Sequence, residues 1–173
     1  GPALRLLDED LAEAVCFDTG SHVNRKAGQH DAMSALFRTR SNVVVRLLTS
    51  FINNYPGGYH AMRVYATRGY FERTSPAAGA RTLFRSADSP VENRLTELPV
   101  GDARTDMSEA AKASGHGGAD HALVERFLGA VRGGLPSPIS LREGLRMTLP
   151  GLYAAESAAQ GGKLVAIRYP WDG

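Results

Sequence analysis

Short stretches in which apolar and polar residues alternate fill the first half of the chain, and each of them predicts a β-strand. The predicted strands are residues 13–17, 32–39, 43–51, 62–66, 70–74 and 82–85. The polar connection 40–42 is short enough to join the second and third strands as an antiparallel hairpin. The turn 67–69 joins the next two strands in the same way.

The spacing of apolar residues becomes helical in the second half of the chain. One helix begins near Ala119 and ends at Gly133 and Gly134, because glycine commonly follows the last turn of a helix. Its apolar stripe consists of Leu123, Phe127, Leu128 and Val131. Residues 86–114, which precede this helix, are polar and are expected to form a long loop.

A second helix begins at Ser140, since Ser140 and Glu143 three residues later form a capping-box pattern. Pro150 lies inside this helix and predicts a kink, because proline removes one backbone hydrogen bond. Gly161 ends the helix, and residues 164–167 form a last strand. The stripe expected to pack against the rest of the protein is Leu141, Leu145, Thr148, Leu152, Ala155 and Ala159.

Strands followed by helices indicate an α+β fold, with an open, mainly antiparallel β-sheet and helices packed on one face. The strand–helix alternation that builds a parallel nucleotide-binding sheet is absent from the sequence. With 173 residues, the chain is expected to form a single domain, residues 1–173.

Composition excludes several classes of protein. The net charge is +2 and no run of basic residues occurs, which disfavours nucleic-acid binding. No apolar stretch is long enough to span a membrane. The single cysteine, Cys16, lies in an apolar run and is expected to be a buried strand thiol. The lack of disulfides favours a reducing compartment, so a cytoplasmic protein is expected.

The chain starts Gly1-Pro2-Ala3-Leu4, without an initiator methionine or the basic region of a signal peptide. This start leads us to expect that the chain is part of a longer protein.

The strongest candidate for a functional segment in the chain is Gly115-His116-Gly117-Gly118-Ala119-Asp120. It fails as a dinucleotide fingerprint, because Asp120 stands where the third glycine belongs and no strand precedes it. Glycines at a helix N-terminus let backbone N–H groups approach a ligand, so His116 and Asp120 are candidate ligand contacts. Alternatively, Asp120 caps the helix and His121 faces solvent. Because His116 and His121 are five residues apart, they do not share a helix face, and no zinc site is expected.

Two other loops carry candidate binding residues. Residues 51–60 contain Tyr55, Tyr59 and His60 together with two asparagines, a set that offers a sugar aromatic faces and hydrogen-bond donors. The alternative is a plain Pro-Gly turn with surface tyrosines. His30 precedes the second strand beside Asp31; here the alternative is a turn in which Asp31 bonds its own backbone.

These segments, taken in order, carry a resemblance to a known family. The segments are residues 28–31, 55–60, 67–69, 115–120, 135–136, 140–157 and 161–162. The chain resembles the C-terminal domain of the glucose–fructose oxidoreductase/inositol dehydrogenase/MocA family. Within that family it is most similar to the branch that contains NAD-dependent α-N-acetylgalactosaminidase-like glycosidases.

The resemblance implies an N-terminal Rossmann domain that binds NAD or NADP and a C-terminal α+β domain that covers the sugar. The free face of its sheet would mediate homo-oligomerisation. Redox members oxidise a sugar or polyol hydroxyl by hydride transfer, whereas the glycosidase branch oxidises C3, eliminates the substituent, adds water and re-reduces.

In this chain, the resemblance implies that His60 and the loop from His116 to Asp120 line the sugar side of the cleft. The cofactor fingerprint and the usual active-site region lie upstream of these residues, so the resemblance assigns no catalytic and no cofactor-binding residue here. We therefore expect a substrate-binding and oligomerisation domain without turnover of its own. Two other interpretations stay open: a freestanding carbohydrate-binding or dimerisation module without a cofactor, and a small metal-dependent enzyme that uses some of the five histidines.

Overall fold

A computed structural model describes residues 1–23, 25–26, 30–52, 60–75, 80–88, 94–99 and 107–172. Its helices are α1 (Pro2–Leu7), α2 (Glu109–Ala113), α3 (Ala119–Gly133) and α4 (Leu141–Ala159), and a short 3-10 helix spans His116–Gly118. Its strands are β1 (Leu11–Asp18), β2 (Ala32–Thr39), β3 (Val44–Ser50), β4 (His60–Ala66), β5 (Gly69–Ser75), β6 (Arg81–Ser86), β7 (Thr96–Glu97) and β8 (Val165–Ala166). The chain divides into two compact units, Gly1–Ile52 with Glu125–Gly173, and Asn53–Val124.

The first unit is built on a four-stranded antiparallel sheet in the order β3-β2-β1-β8. The register pairs Ala14 with Phe37 and Cys16 with Ala35, so these four side chains share one face. Helix α4 packs against β1 and β8. The resulting core is made of Leu4, Leu11, Ala14, Cys16, Ala35, Phe37, Ala154, Ile167 and Tyr169.

The face of α4 that packs differs from the predicted one. Its buried or partly buried positions are Gly144, Leu145, Arg146, Leu149, Pro150, Tyr153, Ala154, Ser157 and Ala158, so Leu145 is the one member of the predicted stripe among them. Leu141 and Leu152 of the predicted stripe are exposed instead. Small side chains explain the choice: the hydroxyl of Ser157 accepts the backbone N–H of Cys16 at 2.9 Å, which brings helix and strand close together. The capping box at Ser140 and Glu143 is present as predicted.

The second unit contains a separate four-stranded antiparallel sheet in the order β4-β5-β6-β7. One face carries charged and tyrosine side chains, and the other carries mainly apolar ones. Among the strand residues described for this sheet, only Thr82 is buried. The sheet is therefore stabilised largely by cross-strand pairs, such as Arg63 Nε on Glu72 Oε2 at 2.9 Å.

The α+β class is confirmed, as are both hairpins and the start of α3 at Ala119. Cys16 is buried, as expected. The strands form two sheets rather than one. The expectation of a long loop at residues 86–114 is wrong, because β7 and α2 form within it, the latter capped by Ser108. Helix α1 was not predicted. No helix in the described residues has the length and apolarity needed to cross a membrane.

Candidate functional site

The segment that joins α2 to α3 holds the most strained backbone among the described candidate residues. His116 has φ 52, in the left-handed region that a side chain with a Cβ seldom occupies. The 3-10 helix closes with the N–H of Gly118 on the carbonyl of Gly115 at 3.1 Å. A Cβ at Gly115 would collide with the carboxylate of Asp120. Glycine at this position thus permits a close approach of Asp120 to the loop.

The strained turn brings His116 and Asp120 together. Nδ1 of His116 lies 2.9 Å from each carboxylate oxygen of Asp120. The hydrogen bond to Asp120, followed by its negative charge, raises the pKa of His116 above its ordinary value. Both side chains are exposed, so water screens much of this attraction.

This arrangement has a defined chemical capacity. A carboxylate on Nδ1 favours the tautomer whose Nε2 carries the free lone pair, and it stabilises the imidazolium that forms when Nε2 accepts a proton. Because His116 is exposed, Nε2 is accessible to a ligand hydroxyl. The pair can therefore orient a hydroxyl group or accept its proton.

His30 forms a second histidine–carboxylate pair, in the first unit. Its Nδ1 lies 3.0 Å from Oδ1 of Asp18, and the same oxygen accepts the N–H of Gly20 at 2.7 Å. Asp31 is buried and accepts the N–H groups of His22 and Val23 at 2.7 and 3.1 Å. The alternative that Asp31 bonds the backbone of its own turn is wrong, because the N–H groups that its carboxylate accepts belong to residues eight and nine positions earlier in the chain. Sequence reasoning missed Asp18, because its partner His30 is far from it in the sequence.

His60 is the first residue of β4 and is exposed, opposite Ser75 in the register. Tyr55 and Tyr59 lie outside the described residues. The structure therefore places His60, His116 and Asp120 in one unit and His30 in the other. It brings together the predicted pair His116 and Asp120, and it adds Asp18 to His30.

A charged cleft in the first unit was not predicted. It has a volume of about 420 Å³ and is lined by Asp8, Glu9, Asp10, Arg40, Arg142, Glu143 and Arg146. Most of these groups already have partners: Asp10 accepts from Arg146 and from the indole N–H of Trp171 at 3.0 Å. Trp171 stacks on Tyr169, and the guanidinium of Arg142 lies 4.1 Å from the centre of the Trp171 ring. The side chains that line the cleft therefore hold the C-terminal segment in place through Trp171.

The described residues can be compared with what a bound metal ion or nucleotide requires. No three His, Cys, Asp or Glu side chains among them come together to hold a metal ion. Every strand pair described is antiparallel, whereas a Rossmann dinucleotide site needs parallel strands leading into a glycine-rich turn. The described strand pairs therefore do not form a site of the Rossmann type.

Comparison with solved structures finds the same fold in oxidoreductases. An NAD-binding oxidoreductase from Klebsiella pneumoniae has a TM-score of 0.72 at 12% sequence identity, with 96% of this chain and 47% of that chain covered. Levoglucosan dehydrogenase in complex with NADH and levoglucosan has a TM-score of 0.69 at 14% identity, with coverages of 97% and 48%. An inositol dehydrogenase homolog from Azotobacter vinelandii, in complex with NADH and myo-inositol, has a TM-score of 0.60 at 20% identity, with coverages of 93% and 45%.

At these identities the likeness shows the fold. The chain spans less than half the length of each of these three structures. No model of a protein family matches the chain, and neither does any curated protein sequence.

Proposed function

We propose that this chain is the substrate-binding and oligomerisation domain of an NAD(P)-dependent sugar oxidoreductase, and that it does not turn over substrate alone. In this proposal residues 1–173 form one C-terminal domain, and an N-terminal Rossmann domain outside this chain binds NAD or NADP. The observation that carries the proposal is the match of more than nine-tenths of the chain to less than half of several oxidoreductases. The ligands of two of them, levoglucosan and myo-inositol, favour a sugar or polyol as the substrate class.

The His116–Asp120 pair supplies the chemistry that this role needs from the chain. NAD(P), when bound by the other domain, accepts or donates the hydride. Oxidation of a hydroxyl also releases a proton, and the free Nε2 of His116 is suited to hydrogen-bond that hydroxyl. Asp120 keeps the imidazole in the required orientation. His60, His30, Tyr55 and Tyr59 are proposed as further sugar contacts.

An exposed apolar surface on α4 supports a covering domain. Leu141 is 80% exposed and Leu152 is 61% exposed, both on the helix side turned away from the core. A Rossmann domain that covers this side would remove these large apolar side chains from water.

The free face of the first sheet supports the oligomerisation part of the proposal. The register sets Val15 beside Leu36, and Phe17 and Leu48 on either side of Ser34, all on the face opposite α4. Phe17, Leu36 and Leu48 are each at least half exposed. Apolar side chains in adjacent rows form the kind of surface that a second copy covers.

Two titrations of the 173-residue chain test the proposal. In ¹H–¹⁵N NMR spectra, myo-inositol or levoglucosan should shift the signals of residues around His116, and His116→Ala should weaken this binding. In calorimetry, NADH should give no saturable heat. Saturable NADH binding, or sugar binding that His116→Ala leaves unchanged, would contradict the domain assignment or the site, respectively.

Sedimentation tests the oligomer separately. The wild-type chain should associate, and Leu48→Lys should shift it towards the monomer, whereas Leu141→Lys on α4 should not. A chain that stays monomeric at high concentration rejects the oligomerisation part. If the chain binds sugar but its parent protein has no cofactor domain, the result would instead favour the freestanding module. Product analysis of the parent protein separates a dehydrogenase from an NAD-dependent glycosidase.

A further inference from the structure

The apolar face of the second sheet contains one cation, Arg73, that no acidic side chain among the described residues neutralises. The guanidinium of Arg73 donates through Nη1 to the hydroxyl of Thr82 at 2.6 Å. Within the described residues, this is its one hydrogen bond, and no carboxylate lies within ion-pair distance. Three other arginines of this unit have acidic partners: Arg63 pairs with Glu72, Arg68 with Asp88 and Arg81 with Glu97.

Burial makes the lone cation informative. Arg73 is half-buried, and Thr82 is 3% exposed. A guanidinium that has lost part of its hydration needs acceptors for its remaining N–H groups, and the Thr82 hydroxyl satisfies only one of them. The hydrogen bond also restrains the position of the charge, because the side chain of Thr82 is buried.

The register sets His60 on the same face. Arg73 lies opposite Met62 on β4 and Thr82 on β6, and His60 precedes Met62 by two residues. Cα atoms in this diagonal relation are about 7–8 Å apart, which long side chains can bridge. Phe71 precedes Arg73 by two residues on β5 and therefore lies on the same face. It is opposite Val64 and is half-buried.

We propose that Arg73, Thr82 and His60 form a subsite for an acidic group of a sugar ligand, with Val64 and Phe71 against the apolar face of the ring. The inference rests on the proposed function, which supplies a sugar as the ligand class. The fork of a guanidinium matches a carboxylate or a phosphate with two parallel hydrogen bonds, so the shared chemistry is an oxyanion carried by the sugar. The hydroxyl of Thr82 holds the fork in place, and His60 adds a further donor.

Three related sugars test the subsite by NMR titration of the full 173-residue chain: D-glucose, D-glucuronate and D-glucose 6-phosphate. At least one acidic sugar should bind about tenfold more tightly than glucose, since hydrogen bonds to charged groups are worth that much. A preference for glucuronate identifies a carboxylate ligand, and a preference for glucose 6-phosphate identifies a phosphate ester. Arg73→Gln should abolish the preference.

Arg81→Gln is the matched control, because Arg81 lies on the opposite face of the same sheet. It should retain the preference. Arg73→Lys keeps the charge but loses the fork, and it should bind the acidic sugar more weakly than wild type; it also serves if Arg73→Gln does not fold. Equal binding of all three sugars, or a preference that both Arg73 variants retain, overturns the subsite and leaves the proposed function standing. If no sugar binds at all, the proposed function fails together with the subsite.

Discussion

The two sheets are built from strands of similar length, but different interactions stabilise them. In the first sheet, α4 sets Ala154 and Ser157 against the strand that carries Ala14 and Cys16, and all four are buried. In the second sheet, Thr82 is the one buried side chain among the strand residues described. The comparison shows that most of the buried core and most of the candidate ligand-binding side chains belong to different units. The first sheet provides most of the core, while the second unit presents His116, Asp120, His60 and Arg73 with capacity for further bonds.

The largest effect should come from removing a core ring of the first sheet. Phe37 is 4% exposed, and Phe37→Ala should lower the free energy of unfolding by about 3–5 kcal/mol, because it leaves a cavity. Phe84 in the second sheet is 38% exposed, and Phe84→Ala should cost roughly 1 kcal/mol. Urea unfolding followed by circular dichroism measures both, and the fluorescence of Trp171, the single tryptophan, follows the first unit. Equal losses for the two variants would contradict the comparison.

A smaller effect should follow from Gly162, where the end of α4 meets β1. Gly162 has φ +84, and a Cβ there would collide with the ring of Phe17. Gly162→Ala should therefore destabilise by roughly 2–3 kcal/mol, of which backbone strain contributes about 1–2 and displacement of the exposed Phe17 ring the rest.

Gly161→Ala is the matched control, because Gly161 has φ +69 and open space around its Cβ position. It should cost only the backbone strain, roughly 1–2 kcal/mol. Phe17→Leu should reduce the excess cost of Gly162→Ala over Gly161→Ala. An excess that survives removal of the ring would show that the overlap is not its cause.

Alkaline pH should weaken the first unit through Tyr169. Burial, followed by the nearby charge of Asp10, raises the pKa of Tyr169 to about 12. The folded state thus favours the neutral phenol, so its contribution is complete below pH 10 and is lost as the pH rises towards 12. The loss should amount to about 2 kcal/mol. Tyr169→Phe should flatten stability against pH in this window.

Local signals in the sequence were sufficient for much of the fold. Alternation placed β2 at its observed bounds, and the Ser140–Glu143 spacing placed the start of α4. These local signals did not predict the packing face of α4. Helical spacing marks large apolar residues, whereas the side chains that pack against the sheet include the small Ala154 and Ser157. Helix α2 was missed because its short sequence is polar and alanine-rich, and only the Ser108 cap marks it.

The candidate site was predictable where its partners are close in sequence. His116 and Asp120 are four residues apart at a helix start, and glycines around them announce a tight turn. Asp18 and His30 are separated by a loop, and Arg73 acquires meaning only through its neighbours on β4 and β6. A weak signal for Arg73 did exist: it occupies the phase of β5 that also carries Phe71, where a charged residue is unexpected.

The smallest effect on stability should come from His116, which is exposed in the second unit. Asp120 raises the pKa of His116, so the pair stabilises the fold fully below the ordinary histidine pKa and this contribution is lost as the pH rises through the raised pKa. Exposure of both side chains keeps the effect on stability small. In NMR titrations, Asp120→Asn should return the pKa of His116 towards its ordinary value and leave the global stability nearly unchanged. If Asp120→Asn instead unfolds the second unit, Asp120 is chiefly a structural cap of α3; if only the pKa and the affinity for sugars change, the pair belongs to the ligand site.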